Sequence, residues 1–85
     1  MLPQILRSAI SVPSNIAEGN ARLHAGDYIH HAAIARGSLA ELETQLEITV
    51  RRKYLQRNDV IPAFASTSAV GKVLNGLIES LKARR

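Results

Sequence analysis

The apolar residues of this chain fall into three runs, each stepping forward by three or four positions. The first run is Leu2, Ile5, Ala9, Val12 and Ile16; the second is Tyr28, Ala32, Ala35, Leu39, Leu42, Leu46 and Thr49. The third is Val60, Phe64, Thr67, Val70, Leu74, Leu77 and Leu81. Such steps place side chains on one face of an α-helix, and no run alternates as a strand would. Pro3 suits a helix start and Gly19-Asn20 a stop, which predicts a first helix over residues 3–20. Asp27 after Gly26 is a good N-cap, so the second helix is expected over 27–54. A third follows over 58–83. Pro13 removes a backbone bond and predicts a kink, while Pro62 argues for a later start to the third helix. Both connections are short, so neighbouring helices should run antiparallel. The expected fold is all-α, a single up-and-down helical bundle over residues 1–85.

A chain of 85 residues has a small core, burying ~60–65% of its unfolded surface. It has no cysteine, which excludes disulfides and thiolate metal sites as reinforcement. Ile34, Ile48, Val73 and Ile78 fall off the main stripes, leaving the second and third helices apolar on more than one side. Another copy of the chain is the expected cover, which makes the protein a homo-oligomer. No stretch is apolar and long enough to span a bilayer, and MLPQILR lacks the features of a signal peptide. A cytoplasmic location is therefore expected.

The formal charge is +4, and it is concentrated. Arg51, Arg52, Lys53 and Arg57 form one cluster with no acid among them; Lys82, Arg84 and Arg85 form another at the tail. Antiparallel geometry sets the clusters at opposite ends of the rod, with Arg22 and His24 beside the second. Basic residues at helix C-termini complement the macrodipole in any protein. In a ring of parallel protomers, each end would become a basic rim suited to phosphate. The few aromatics argue against base-specific reading.

The stretch "SVPSNIAEG" carries a second, polar periodicity. Arg7, Ser11, Asn15, Glu18 and Arg22 step beside the apolar stripe, and His31, Ser38, Glu41 and Gln45 make a comparable line on the second helix. Counting back through the loop sets Arg7 level with Glu41 and Glu18 level with His30. A polar seam is expected, with an Arg7–Glu41 ion pair and Glu18 bonded to Arg22 or a histidine. Such seams fix register more than they add stability. Glu18 as a general acid or base would need a pocket and a second positioned group, which three thin helices scarcely offer. Asp27, His30 and His31 have the right chemistry for a metal, but adjacent histidines point to different sides, so no metal or other cofactor is expected. Gly37, Gly71 and Gly76 each cost a helix roughly 1 kcal/mol against alanine, which predicts close approach of the last two helices at Gly37.

The segments "LRSAISVPSNIAEGNAR", "IARGSLAELETQLEI" and "GKVLNGLIESLK" occur in an order that resembles the four-helix bundle proteins known as 23S rRNA intervening-sequence proteins. A related group serves as accessory proteins of diversity-generating retroelements. That resemblance implies a basic, barrel-like homopentamer that binds RNA or DNA and a polymerase-type partner, a reverse transcriptase. Family members open with one more amphipathic helix, so it also implies a chain lacking the family's first helix. The reading is a non-enzymatic protein that self-associates and binds nucleic acid, with the 51–57 cluster as the first phosphate contact and the tail cluster as the second. A purely protein-binding adaptor is the alternative.

Overall fold

The computed structural model describes residues 1–84; Arg85, one of the expected tail cations, lies outside them. Three helices follow in order: α1 (Leu2–Asn20), α2 (Ala25–Arg51) and α3 (Arg57–Arg84). The all-α expectation holds, with each boundary within about three residues of the pattern-based one.

The differences at the boundaries have local causes. α2 starts at Ala25 with His24 as N-cap, and Asp27 sits in its first turn instead of capping it. There its carboxylate still complements the positive end of the helix dipole. α3 starts at Arg57 despite Pro62. The backbone N–H of Gln56 donates to Asp59 Oδ2 at 2.9 Å, half of a capping box that anchors the start. Pro62 then costs one hydrogen bond inside a helix that packing already holds, and the start is not delayed. α1 likewise runs on through Pro13.

α2 is the middle element. It packs against both α1 and α3, whose backbones stay apart from one another. The result is a thin body of 45 × 21 × 13 Å. Ala32 and Ala35, fully buried on α2, are small enough to let flanking side chains close over them. Val12 from α1 and Leu74 from α3 meet Ala35 and Leu39 in the central cluster, with Ile16 and Val70 against it. Along α3 the buried positions Val60, Thr67, Leu74 and Leu81 recur every seven residues. Ile78 joins them, so it belongs to the core and not to the uncovered excess.

Other apolar residues are left outside. Leu2, Leu6 and Ile10 form a stripe on α1 at 65%, 51% and 62% exposure, so Leu2 does not share the core face expected for it. Between α1 and α3 lies an apolar groove of about 370 Å³, walled by Val12, Pro13, Ile16, Leu39 and Val70.

The glycines divide unexpectedly. A Cβ on Gly37 or Gly76 would meet nothing within 4 Å, so close helix approach at Gly37 does not occur. The register itself is as counted, since Arg36 Nη1 donates to Asn75 Oδ1 at 3.2 Å. Close approach falls instead at Gly19, inside α1, where a Cβ would lie 2.8 Å from Tyr28 Cδ1 and 2.9 Å from His31 Cβ. The latter atom is fixed to the α2 backbone and cannot step aside. Opposite outcomes follow. Gly37→Ala should stabilise by roughly 0.5–1 kcal/mol through helix propensity. Gly19→Ala should destabilise by about 1–2 kcal/mol, because forced overpacking exceeds the propensity gain. Thermal unfolding of the two variants checks both signs.

Candidate nucleic-acid interface

The α1–α2 seam is built from short polar side chains. Ser11 Oγ and Ser38 Oγ share a hydrogen bond of 2.7 Å. Asn15 Nδ2 donates to Ser11 O and Ser11 Oγ, and Asn15 Oδ1 meets His31 Nδ1 at 3.1 Å. A continuous chain, His31–Asn15–Ser11–Ser38, thus keys α1 to α2. Each group has a short reach, so one residue of slip would break the whole chain.

The charged members of the expected seam behave differently. Glu18 pairs with Arg22 along α1, on the outside of the molecule. It makes no bond to His30 or His31, and both its side chain and Arg22's are about half exposed, at 53% and 47%. Arg7 and Glu41 make no ion pair. They line one polar recess with Ser8, Ser11 and Ser38, and Glu41 Oε1 accepts from Gln45 Nε2 at 3.3 Å. Level positions on two helices leave their long side chains room to part. Gln45 Oε1 is buried without a partner. Among the described residues, no three of His, Cys, Asp and Glu gather as metal ligands would.

The 51–57 cluster sits at the α2–α3 corner, and its four cations have distinct fates. Glu47, one turn before the end of α2, takes Arg57 in a two-point pair, with Nη1 to Oε1 at 2.8 Å and Nη2 to Oε2 at 2.7 Å. Arg51 Nε also reaches Glu47 Oε2, at 3.4 Å. This strap ties the first residue of α3 to the last turns of α2. Hydrogen bonding from Arg57 holds the Glu47 carboxyl well down, to about 2 from the ordinary 4.5, and its bond to Glu47 in turn raises Arg57. The sign follows from linkage: a depressed carboxyl stabilises the fold fully above its unfolded value and loses that contribution as pH falls. The strap is therefore intact above about pH 4.5 and is lost toward pH 2. Between those limits the native protein should lose more thermal stability than Glu47→Gln, as a pH series of melting curves would read.

Arg52 and Lys53 have no carboxylate within ion-pairing distance among the described residues. They follow the last turn of α2 in a Schellman motif. The Tyr54 N–H donates to Thr49 O at 2.9 Å and the Lys53 N–H to Val50 O at 3.0 Å. Lys53 takes the left-handed position, φ 62°, where glycine or asparagine is ordinarily found. A side chain there costs roughly 1–2 kcal/mol. The Leu55 N–H also reaches Thr49 O, at 3.3 Å, so the connection is short and well tied. Tyr54, 64% exposed, and Leu55 lie beside Met1, Leu2 and Ile5 around an apolar recess of about 280 Å³. The exposed α1 stripe therefore begins at the basic corner.

At the opposite end two of the described cations have carboxylates of their own, and a third meets only a hydroxyl. Lys82 lies 3.6 Å from Glu79, Arg22 pairs with Glu18, and Arg84 donates to Ser80 at 3.4 Å. Of the six expected phosphate ligands that lie among the described residues, Arg52, Lys53 and Arg84 meet no carboxylate, Arg51 and Arg57 are shared with Glu47, and Lys82 has Glu79; Arg52 and Lys53 are the two that stand side by side. The missed signal was local: Glu47 precedes Arg51 by one helical turn, the favourable orientation for such a pair.

A family model described as 23S rRNA-intervening sequence protein matches residues 1–76. No curated protein and no solved structure matches the chain. No described helix is long and apolar enough to cross a membrane.

Proposed function

The chain belongs to the 23S rRNA-intervening sequence protein family, and from that premise we propose that it is a non-enzymatic cytoplasmic protein that self-associates and binds the phosphate backbone of RNA or DNA. The observation that carries the reading is the meeting of two unsatisfied surfaces at one end of the molecule. Leu2, Leu6 and Ile10 offer water a continuous apolar stripe, and Arg52 and Lys53 offer uncompensated charge at the corner where that stripe begins. Burying Leu6 and Ile10, the part of the stripe beyond that corner, against other copies, in a pentamer or a smaller ring, would gather several basic corners on one rim. Charge so gathered attracts a polyanion far more strongly than one monomer does, and releases its counterions.

Glu18 supports no catalytic role in this reading: it stands with Arg22 in solvent, and the polar chain that keys the helices bypasses it. A protein partner of polymerase type fits the same uncovered apolar surfaces. The test is a salt series of RNA binding with the native protein and an Arg52→Gln/Lys53→Gln variant. Removing two phosphate contacts should weaken binding across sequences and flatten the slope of log affinity against log salt by roughly 2. An unchanged slope would move the interface elsewhere. Failure of the native protein to bind any nucleic acid at low salt would leave the protein-adaptor reading.

A further inference from the structure

We infer that the α2–α3 corner is a single-strand site, in which Tyr54 stacks an unpaired base while Arg52 and Lys53 hold the adjoining phosphates. The inference rests on the nucleic-acid reading above and adds the class of strand. Three observations converge on it.

The first is Lys53 itself. It is the one residue with positive φ among the described residues, and its position in the Schellman motif is one that glycine fills without steric cost. The backbone there gains nothing from a lysine. What the lysine supplies is a charge at the tip of a tight turn, facing solvent and unmatched by any carboxylate among the described residues. The left-handed turn ends α2, but residues strained in this way cluster at functional sites, and the residue strained here is a lysine.

The second is Tyr54. Only three residues in the chain are Tyr, Phe or Trp, and this tyrosine is 64% exposed. Its backbone N–H is fixed on Thr49, so the ring is carried by a pinned main chain immediately after the two free cations. The third is the apolar recess beside it, where Leu2 and Ile5 form aliphatic walls. Cation, aromatic face and apolar slot together match a nucleotide whose base is out of its stack. A duplex hides its base faces and could use only the cations. Stacking on an aromatic is tolerant of sequence, since every base has such a face.

The experiment compares a labelled oligouridylate with an RNA duplex of equal phosphate number, by fluorescence anisotropy at fixed salt. Native protein, Tyr54→Phe, Tyr54→Ser and Lys53→Gly are tested, each checked for native helicity. Tyr54→Ser should lose about tenfold in affinity for the single strand and nothing for the duplex, while Tyr54→Phe keeps both. Lys53→Gly should weaken binding to both RNAs yet melt several degrees higher than the native protein, about 4 °C or more. A lysine placed there only to end the helix would give the higher melting temperature with unchanged binding, and would overturn its assigned role. If native protein binds both RNAs and Tyr54→Ser matches it on each, the single-strand assignment is wrong and phosphate binding stands. If native protein binds neither RNA at low salt, the underlying nucleic-acid reading fails with it.

Discussion

Leu74→Ala should remove about 2–5 kcal/mol of folding stability, the range for emptying a well-packed leucine site. Leu74 is 1% exposed and joins Val12, Ala35 and Leu39 in the buried cluster where side chains of α1, α2 and α3 converge. α2 separates the two outer helices, so no other backbone can collapse into the space. Native domains hold only ~0.05–0.15 kcal/mol per residue, roughly 4–13 kcal/mol for a chain of this length. One substitution would thus consume from about a sixth to the whole of the total, and the melting temperature should fall on the order of 10–30 °C. Lys72→Ala, exposed on the same helix, should leave it within a few degrees. Circular dichroism melts of the two variants make the comparison.

The double substitution Leu6→Lys/Ile10→Lys should have the largest effect on assembly. Both residues are more than half exposed in the single chain, and lysine is a good helix former, so α1 should fold as before. Against other copies the same positions would bury the exposed half or so of two large aliphatic side chains, about half of the ~1.5–3 kcal/mol that full burial of each is worth, and a lysine there would add the cost of desolvating its ammonium group. Replacing them with ammonium groups should weaken association by roughly 10²–10⁴-fold, since each ~1.4 kcal/mol is a factor of ten. Light scattering should then find a monomer for the variant and, if the proposed self-association is right, an oligomer for the native protein. Equal masses for the two proteins would place the association surface away from the α1 stripe. The groove between α1 and α3 would then be the next surface to substitute.

The sequence spoke most clearly where side chains repeat. The three stripes predicted three helices because each residue in them reports the same period, and tertiary packing could only agree. Single residues were less legible. Gly19 and Gly37 look alike in a helical pattern, but only Gly19 faces another backbone, and that depends on how α1 leans on α2. Asn15 and Ser38 proved to lie within one hydrogen-bonded chain, since short polar side chains at level positions can hardly avoid each other. Arg7 and Glu41 could, because long side chains can turn to other partners or to solvent. The Glu47–Arg57 strap spans a turn whose geometry no spacing rule supplies. The left-handed Lys53 was hidden for a related reason: lysine carries no signal for that conformation, which here is set by where α2 must stop.

The proposed nucleic-acid interface lies at one end of the molecule, and photo-cross-linking tests that position most directly. Native protein would be irradiated with a single-stranded RNA at low salt, and the linked peptides identified by mass spectrometry. Cross-links concentrated between Arg51 and Arg57, with Tyr54 among the modified residues, are the predicted result. Cross-links confined to Arg22, Lys82 and Arg84 at the opposite end, or none in a mixture shown to contain folded protein, would contradict it.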